Sequence, residues 1–402
     1  MKNFKILLVV STAFLTVSVA LAQTWTQTSA PANYWNAITS SSDGMKLAAV
    51  GGGKSPAPIY LSVDSGVSWT TNGTPNMVWA TVASSADGNT LIATVASYFQ
   101  TNIIYITTNA GATWMANTNV PILGSLACSA DGKKWIASAG MGGIYTSTDS
   151  GATWTSNNVP NGFWTAVASS ADGTKLTSVV TTNLASYTYW IYVSRDSGTT
   201  WNLTSAPGLY WDSISSSADG TKLVASATLA VYTSPAIYRS TDSGTNWILT
   251  SAPGNRWSSI RSSADGNKLI AAAGSDNSGM VNVPLYISTD AGVTWVPTSS
   301  PAKTWQDVTT SADGNKSAAI VSSSGIWISQ STPVPHMNLA PSGGNLTASW
   351  IVPSTNFVLQ RSFDLSSWID VTNPPALNLT NLQNEVVLSP TNGSGFYRLK
   401  TP

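Results

Sequence analysis

Trp211-Asp-Ser-Ile-Ser-Ser-Ser-Ala-Asp219-Gly220-Thr-Lys-Leu-Val-Ala-Ser, followed by Ile237-Tyr-Arg-Ser-Thr-Asp242-Ser-Gly244-Thr-Asn-Trp247, is one copy of a repeat that fills most of this chain. Its first half is a Trp followed eight residues later by Asp-Gly. It recurs as Trp35…Asp43-Gly44, Trp79…Asp87-Gly88, Trp164…Asp172-Gly173, Trp257…Asp265-Gly266 and Trp305…Asp313-Gly314. A seventh copy, Asp131-Gly132, carries Leu123 in the Trp position. The second half reads Ser-x-Asp-x-Gly-x-x-Trp and also runs from Ser62, Ser147, Ser194 and Ser288; a sixth copy, Thr107 to Trp114, holds Asn109 for Asp. A Pro follows each of these Trp residues by six or seven positions. A fixed period of forty-odd residues, repeated seven times, is a structural unit rather than chance.

Each copy predicts four short strands. The first is the alternating Trp-x-x-Ile/Val-x-Ser-Ser, and Asp-Gly then suggests a tight hairpin with positive φ at both central residues. The second strand is of the Lys-Leu-x-Ala kind. A variable loop leads to the third, Ile-Tyr-x-Ser, and the Asp motif turns the chain into the fourth at Thr-Trp. Four strands per repeat with no helical period read as a propeller blade. The seventh copy reaches Ile326-Trp327-Ile328-Ser329 and then fails, with Ser331 and Pro333 where Asp and Gly belong. Its missing tail lies at the other end, where Trp25 precedes Pro31 by the usual six residues. The expected fold is therefore all-β: a seven-bladed β-propeller over residues 23–332, closed by its N-terminal strand so that no sheet edge is left open at the join.

These repeats resemble the Asp-box (BNR) repeats of sialidases, of Vps10/sortilin-type ectodomains, of xyloglucan-cleaving glycosidases and of the photosystem II stability/assembly factor-like propellers. The resemblance covers roughly residues 24 to 332. One ring of seven units looks most like the assembly-factor group. It implies a fold and leaves activity open, because these relatives differ in what they do.

Composition narrows the function. Charged residues are 9% of the chain, against about 25% in an average protein, and Lys plus Arg equals Asp plus Glu. That excludes the basic patch of a nucleic-acid binder and a basic face for an anionic membrane. Lys2 and Lys5, the apolar run from Ile6 to Leu21 and the Ala20-Leu21-Ala22 end read as a Sec signal peptide, residues 1–22, cleaved before Gln23. The competing reading, an uncleaved anchor, has a short apolar core for a spanning helix. The expected product is a secreted or cell-surface monomer. Cys128 is the only cysteine, so no intrachain disulfide forms.

The same inventory limits chemistry. The repeat region holds no Glu and no His; Glu385 and His336 follow it. Ser-His-Asp chemistry and His-rich metal sites are thereby removed, and no cofactor or metal is expected. A sialidase-like site lacks its Glu, and Arg195 and Arg239 sit in or beside the boxes. The box aspartates read as turn caps, since Asn109 can accept the same backbone bonds without a charge. Setting aside turns and boxes leaves Asp212, Asp276 and Asp307. These are the candidates for the alternative reading, a non-sialidase glycoside hydrolase, which needs two carboxylates about 5 to 9.5 Å apart. Asp212 and Asp307 differ by one strand position, so they are expected on opposite sides of their strands.

For binding, the face opposite the boxes collects aromatics outside the repeat. Tyr34, Phe163 and Tyr210 precede a first-strand Trp, and Arg256 holds that place in its own unit. Tyr187, Tyr189 and Trp190 read as a loop of the fourth unit, with Trp190 the one tryptophan no repeat position explains. Such side chains suit sugar rings or a protein partner, or they pack loops together at the rim. The favoured function is a binding or scaffold protein that recognises a protein or glycan through this face.

The repeats stop near Thr332, and Thr332-Pro333-Val334-Pro335 reads as a linker. Alternating runs over Leu346–Trp350, Phe357–Ser362, Trp368–Val371, Glu385–Ser389 and Phe396–Leu399 suggest a small sandwich of immunoglobulin or fibronectin type in residues 333–402. Its pattern from Asn356 to Trp368, ending in Phe396-Tyr397-Arg398-Leu399, loosely resembles C-terminal modules of secreted proteins from some environmental bacteria. That implies sorting, attachment or spacing.

Overall fold

A computed structural model describes residues 24–53, 55–71, 73–74, 76–96, 102–183, 188–227, 235–274, 282–330, 337–342, 345–351, 358–363, 367–378, 383–388 and 396–400. The signal segment and Ala22, the Thr332–Pro335 stretch, Tyr187, Asp276 and His336 lie outside them. Among the described residues every regular element is a strand.

Seven four-stranded antiparallel sheets occupy the region from Trp25 to Gln330. Their inner strands are Trp35–Ser40, Trp79–Ser84, Leu126–Cys128, Phe163–Ser169, Trp211–Ser216, Trp257–Ser262 and Trp305–Thr310; the sheets are called blades one to seven in that order. Blade seven is completed by Trp25–Gln27, which pairs with Ile326–Gln330 and sets Trp25 opposite Ser329. The first and last segments of the ring thus share one sheet.

Packing follows from the repeat. Six first-strand tryptophans, Trp35, Trp79, Trp164, Trp211, Trp257 and Trp305, are essentially fully buried. In five blades the third-strand Tyr meets this Trp edge-on, from 5.1 Å between ring centres for Trp35–Tyr60 to 5.6 Å for Trp257–Tyr286. Trp327 takes the Tyr role in blade seven. Each such pair contributes about 0.5–1.5 kcal/mol beyond its burial. Blade three departs from the rule. Leu123 replaces the Trp, and Trp135 enters the second strand where five other blades have Leu; both lie in one core cluster. Trp190 is therefore not alone in breaking the pattern, since Trp135 also falls outside the two repeated Trp positions. An exchange of large and small side chains keeps that core filled.

A circuit of backbone hydrogen bonds joins the blades. Ser42 N–H donates to Ala86 O, Ala86 to Ala130, Ala130 to Ala171, Ala171 to Ala218, Ala218 to Ala264, Ala264 to Ala312, and Ala312 back to Ser42, all within 2.7–2.9 Å. Side chains add a second linkage: Lys46, Lys134, Lys175 and Lys222 each reach the carbonyl of the Asp in the next blade's Asp-Gly turn. The inner strands surround a central channel, and the whole is a β-propeller.

The remaining strands form a two-sheet sandwich. Asn338–Ser342, Asn345–Ile351, Gln383–Leu388 and Ala376–Asn378 make one sheet; Ile369–Asp370, Val358–Ser362 and Phe396–Lys400 make the other. Ala348, Trp350, Val386 and Leu388 of the first share a core with Leu359 of the second. Two strands, Asn338–Ser342 and Ala376–Asn378, go beyond the runs read from the sequence. Both are edge strands with weak alternation, and pairing rather than pattern defines them.

Candidate functional site

The two ends of the ring are built differently. At one end lie the Asp-Gly turns. Gly44 N–H donates to Ser41 O and Ser41 N–H to Lys46 O, closing a four-residue loop. Gly44 has φ 68°, but Asp43 is not in the left-handed region. The expectation of positive φ at both residues is thus corrected. The loop is longer than two residues, so only its Gly must be left-handed, and Asp43 instead caps it by accepting from Ser41 Oγ and Met45 N–H.

The boxes sit at the same end. Asp64 accepts from the Ser68 amide at 2.9 Å, from the Ser68 hydroxyl at 2.5 Å and from the Ser62 hydroxyl at 2.7 Å. Ser65 and Gly66 are both left-handed, and Ser65 N–H ties the box to Met45 O in the neighbouring Asp-Gly turn. The Ser68 side chain, then its amide, holds the Asp64 carboxyl down at about 2. Asn109 repeats the arrangement without charge, accepting from Thr113 N–H at 2.9 Å and from the Thr107 hydroxyl at 2.8 Å. These carboxylates are engaged by their own turns. Arg195 is likewise occupied, donating to Ser243 O and Thr245 Oγ1 of the next box. Among the described residues no group of three or more His, Cys, Asp or Glu could hold a metal ion, and no helix is long and apolar enough to cross a membrane.

The opposite end carries the candidate site. In six blades the inner strand has a register shift just after its Trp, between Trp35 and Ala37, Trp79 and Thr81, Trp164 and Ala166, Trp211 and Ser213, Trp257 and Ser259, and Trp305 and Asp307. The extra residue is Asn36, Ala80, Thr165, Asp212, Ser258 or Gln306, and all six line a channel cavity of about 400 Å³. Bulges re-aim side chains in this way, and they favour rims and sites.

Asp212 and Asp307 both line that cavity but do different work. Asp212 occupies a bulge. Asp307, one position deeper, is buried and accepts from Ile38 N–H (3.0 Å), Ser259 Oγ (2.6 Å), Arg261 Nη2 (3.1 Å) and its neighbour Val308 N–H (2.9 Å). Ser213 holds the same place in blade five and accepts Ile260 N–H of blade six. Asp307 is thus a staple across blades six, seven and one. The Arg261–Asp307 contact is the one ion pair among the described residues. Cys128 also lines the channel, donates to Ser84 O, and has its thiol pushed far up by burial, with Asp131 and Asp87 adding to the effect.

The aromatics divide. Tyr34 (57% exposed), Phe163 (42%) and Tyr210 (38%) are open on blades one, four and five. Tyr189 and Trp190 do not lie in a loop. They belong to the strand Thr188–Ser194, whose pairing with Leu176–Asn183 lengthens this hairpin. Tyr189 is buried against Tyr210, ring centres 4.4 Å apart, and Trp190 packs beside Gly208 and on the blade-four core. The structure therefore brings Tyr189 and Tyr210 together and puts Trp190 on the other face of its strand, while Tyr34 packs over Gly53 of its own blade and Phe163 over Gly140 of blade three. Arg256 is half-buried beside the blade-six Trp. The residues that sequence reasoning missed are Asn36, Arg261 and Gln306. No motif marks them, since a bulge leaves no residue preference behind.

No family model matches the chain, and no curated protein matches it. Solved structures do. YCF48 bound to D1 peptide is 16% identical with a TM-score of 0.56, covering 78% of this chain and 97% of that one. YCF48 from Cyanidioschyzon merolae is 12% identical at 0.55, covering 76% and 98%. The GH74 xyloglucanase from Xanthomonas campestris is 17% identical at 0.57, covering 82% of this chain; the match spans 59% of the xyloglucanase. At these identities the likeness is one of fold, and it places the chain among β-propellers that include a peptide-bound protein and a glycoside hydrolase.

Proposed function

We propose that this chain is an exported binding propeller whose partner, a protein or a glycan, docks on the face opposite the Asp-boxes. One observation carries the reading: Tyr34, Phe163 and Tyr210 stand exposed at the entry of inner strands, on the face where the repeat breaks. Exposed Tyr and Phe at the entry of paired strands offer large contact area at small ordering cost. A propeller of similar fold bound to a peptide supports it. The residues proposed for contact are Tyr34, Phe163, Tyr210 with Tyr189 packed on it, Trp190, Arg256 and Tyr187. Cleavage after Ala22, a monomeric state and a separate 333–402 module that sorts, attaches or spaces the propeller belong to the same proposal. A pull-down with the mature chain tests it. Partner capture should fall at least tenfold in a Tyr34→Ala/Tyr210→Ala double variant that melts like the parent; undiminished capture overturns the reading.

The second reading, glycoside hydrolysis, is favoured by Asp212 and Asp307 lining one cavity and by the xyloglucanase fold. Against it, Asp307 already accepts four bonds, including one from a guanidinium. A carboxylate pinned by those donors across three blades is not placed to swing onto a substrate as a mobile nucleophile. Release of reducing sugar from xyloglucan that Asp212→Asn abolishes would establish the hydrolase.

A further inference from the structure

We infer that the turn end of blade one is a docking surface for the chain's own C-terminal sandwich, which seats on an apolar patch of Met45, Val63 and Val67. The inference rests on the sandwich being a unit of its own, as proposed above, and not on the loop-face partner.

A break in the repeat marks the patch. In six blades Asn, Lys or Thr follows Asp-Gly; in blade one Met45 follows it. In five boxes the second residue is Thr or Arg; in blade one it is Val63. Val67 lies in the same box. All three side chains are exposed, Val63 by 66% and Val67 by 70%. They adjoin, since Ser65 of the box donates its N–H to Met45 O and its hydroxyl to Met45 Sδ. Elsewhere one box flanks the next, as where Arg195 reaches Ser243 and Thr245 in the box of blade five. Blade seven has no box, so the box of blade one has none before it.

Chain geometry names the occupant. The strand Ile326–Gln330 runs towards the turn end, where Gln330 pairs with Lys316 beside the blade-seven Asp-Gly turn. Ile328 of that strand lies against Gly66 in the box of blade one, and Lys316 Nζ donates to Met45 Sδ and Ser65 Oγ. The chain therefore leaves the ring at the border of the patch. Residues 331–336 separate Gln330 from Met337, and a connection of that length spans at most about 25 Å. A six-residue inner strand is itself about 20 Å long, so the sandwich is left at this end of the ring. A tether so short sets an effective concentration of about millimolar, at which a small contact suffices.

The sandwich carries a matching margin. Leu339, Pro341 and Leu346 share the sheet face that bears the buried Ala348, yet all three are exposed. Leu339 stands two residues past Met337, where the connection ends. The structure shows both apolar margins open, and docking closes them on each other, which removes that surface from water.

The test is amide-nitrogen relaxation measured by NMR on the full mature chain, comparing the sandwich with the ring. In the parent the two sets of amides should tumble together. Met45→Asn/Val63→Thr gives blade one the residues that other blades carry, so its ring should melt like the parent. The correlation time of its sandwich should fall about twofold or more as that unit tumbles alone. Leu339→Gln, on the other side of the contact, should act likewise. A parent sandwich that already tumbles apart from the ring overturns the inference, and so does a sandwich that still tumbles with the ring in both variants. A parent correlation time that rises with protein concentration, and that Met45→Asn/Val63→Thr lowers, would name a second copy as the occupant and overturn it too.

Discussion

The two ends of this ring are made from the same strands yet follow opposite rules. At the turn end, nearly every polar group has a local partner. Asp43 caps its own loop, Asp64 its own box, and Lys46 clasps the next blade. At the other end the inner strands bulge, and the positions after each Trp vary freely among Asn, Ala, Thr, Asp, Ser and Gln. One face is fixed because seven copies of a turn must meet; the other is free because nothing there has to repeat. If the proposed docking face is right, loss of partner binding without loss of stability should be confined to the second.

The largest effect should come from the core that both faces share. Trp257→Ala should cost about 3–5 kcal/mol of unfolding free energy, since Trp257 is fully buried against Tyr286. Urea melts measure it, and a loss under about 1 kcal/mol would mean the Trp ladder is not the structural spine. Next is Asp307→Ala. It strips partners from Ile38 N–H, Ser259 and Arg261 and should cost about 2 kcal/mol, with Arg261 part-exposed and so partly rescued by water. A neutral outcome would free Asp307 for a chemical role and revive the hydrolase reading.

Within the turn face, Asp242→Ala should cost about 1 kcal/mol, and Asp242→Asn much less, because Asn109 shows that an amide can fill the box. Equal losses for the two variants would mean that charge, not geometry, matters. Acid should act through the same groups. Asp64 is held at about 2 by Ser68, and Asp196 and Asp242 lie below the usual range through Thr200 and Asn246. A depressed carboxyl stabilises when ionised, so its contribution is full above the ordinary value of about 3.9. It is lost as pH falls from about 4 towards 2. The exposure of these groups keeps each share small. Melting temperature followed by circular dichroism should be flat near neutrality and fall only in that acid window. The smallest stability effect should be at the recognition face: Tyr34→Ala should shift unfolding by less than about 0.5 kcal/mol, and a larger loss would place that ring in the fold rather than in a site.

Much of the ring was legible because its causes are local. Asp-Gly, the box and the Trp each impose one turn or one packing position, and they sit in the sequence at fixed offsets. What escaped has non-local causes. The bulge after each Trp arises from the curvature of strands closing on a channel, and residues as unlike as Ala80 and Asp212 accept it. Tyr189 and Trp190 read as loop residues because the repeat ends there, yet cross-strand pairing with Thr181 and Val180 extends the hairpin. The role of Asp307 depended on Ile38, 269 positions away in the chain.

The seven-membered circuit from Ser42 through Ala312 and back has one more implication. Every member both gives and receives, so the loop of bonds has no first link. The circuit therefore does not depend on which blade comes first in the chain. Joining the two ends of the ring and reopening it at any loop of the recognition face should leave the circuit intact. Inserting or deleting a whole blade changes the closure of the circuit, so the fold should tolerate a moved opening far better than a changed number of blades.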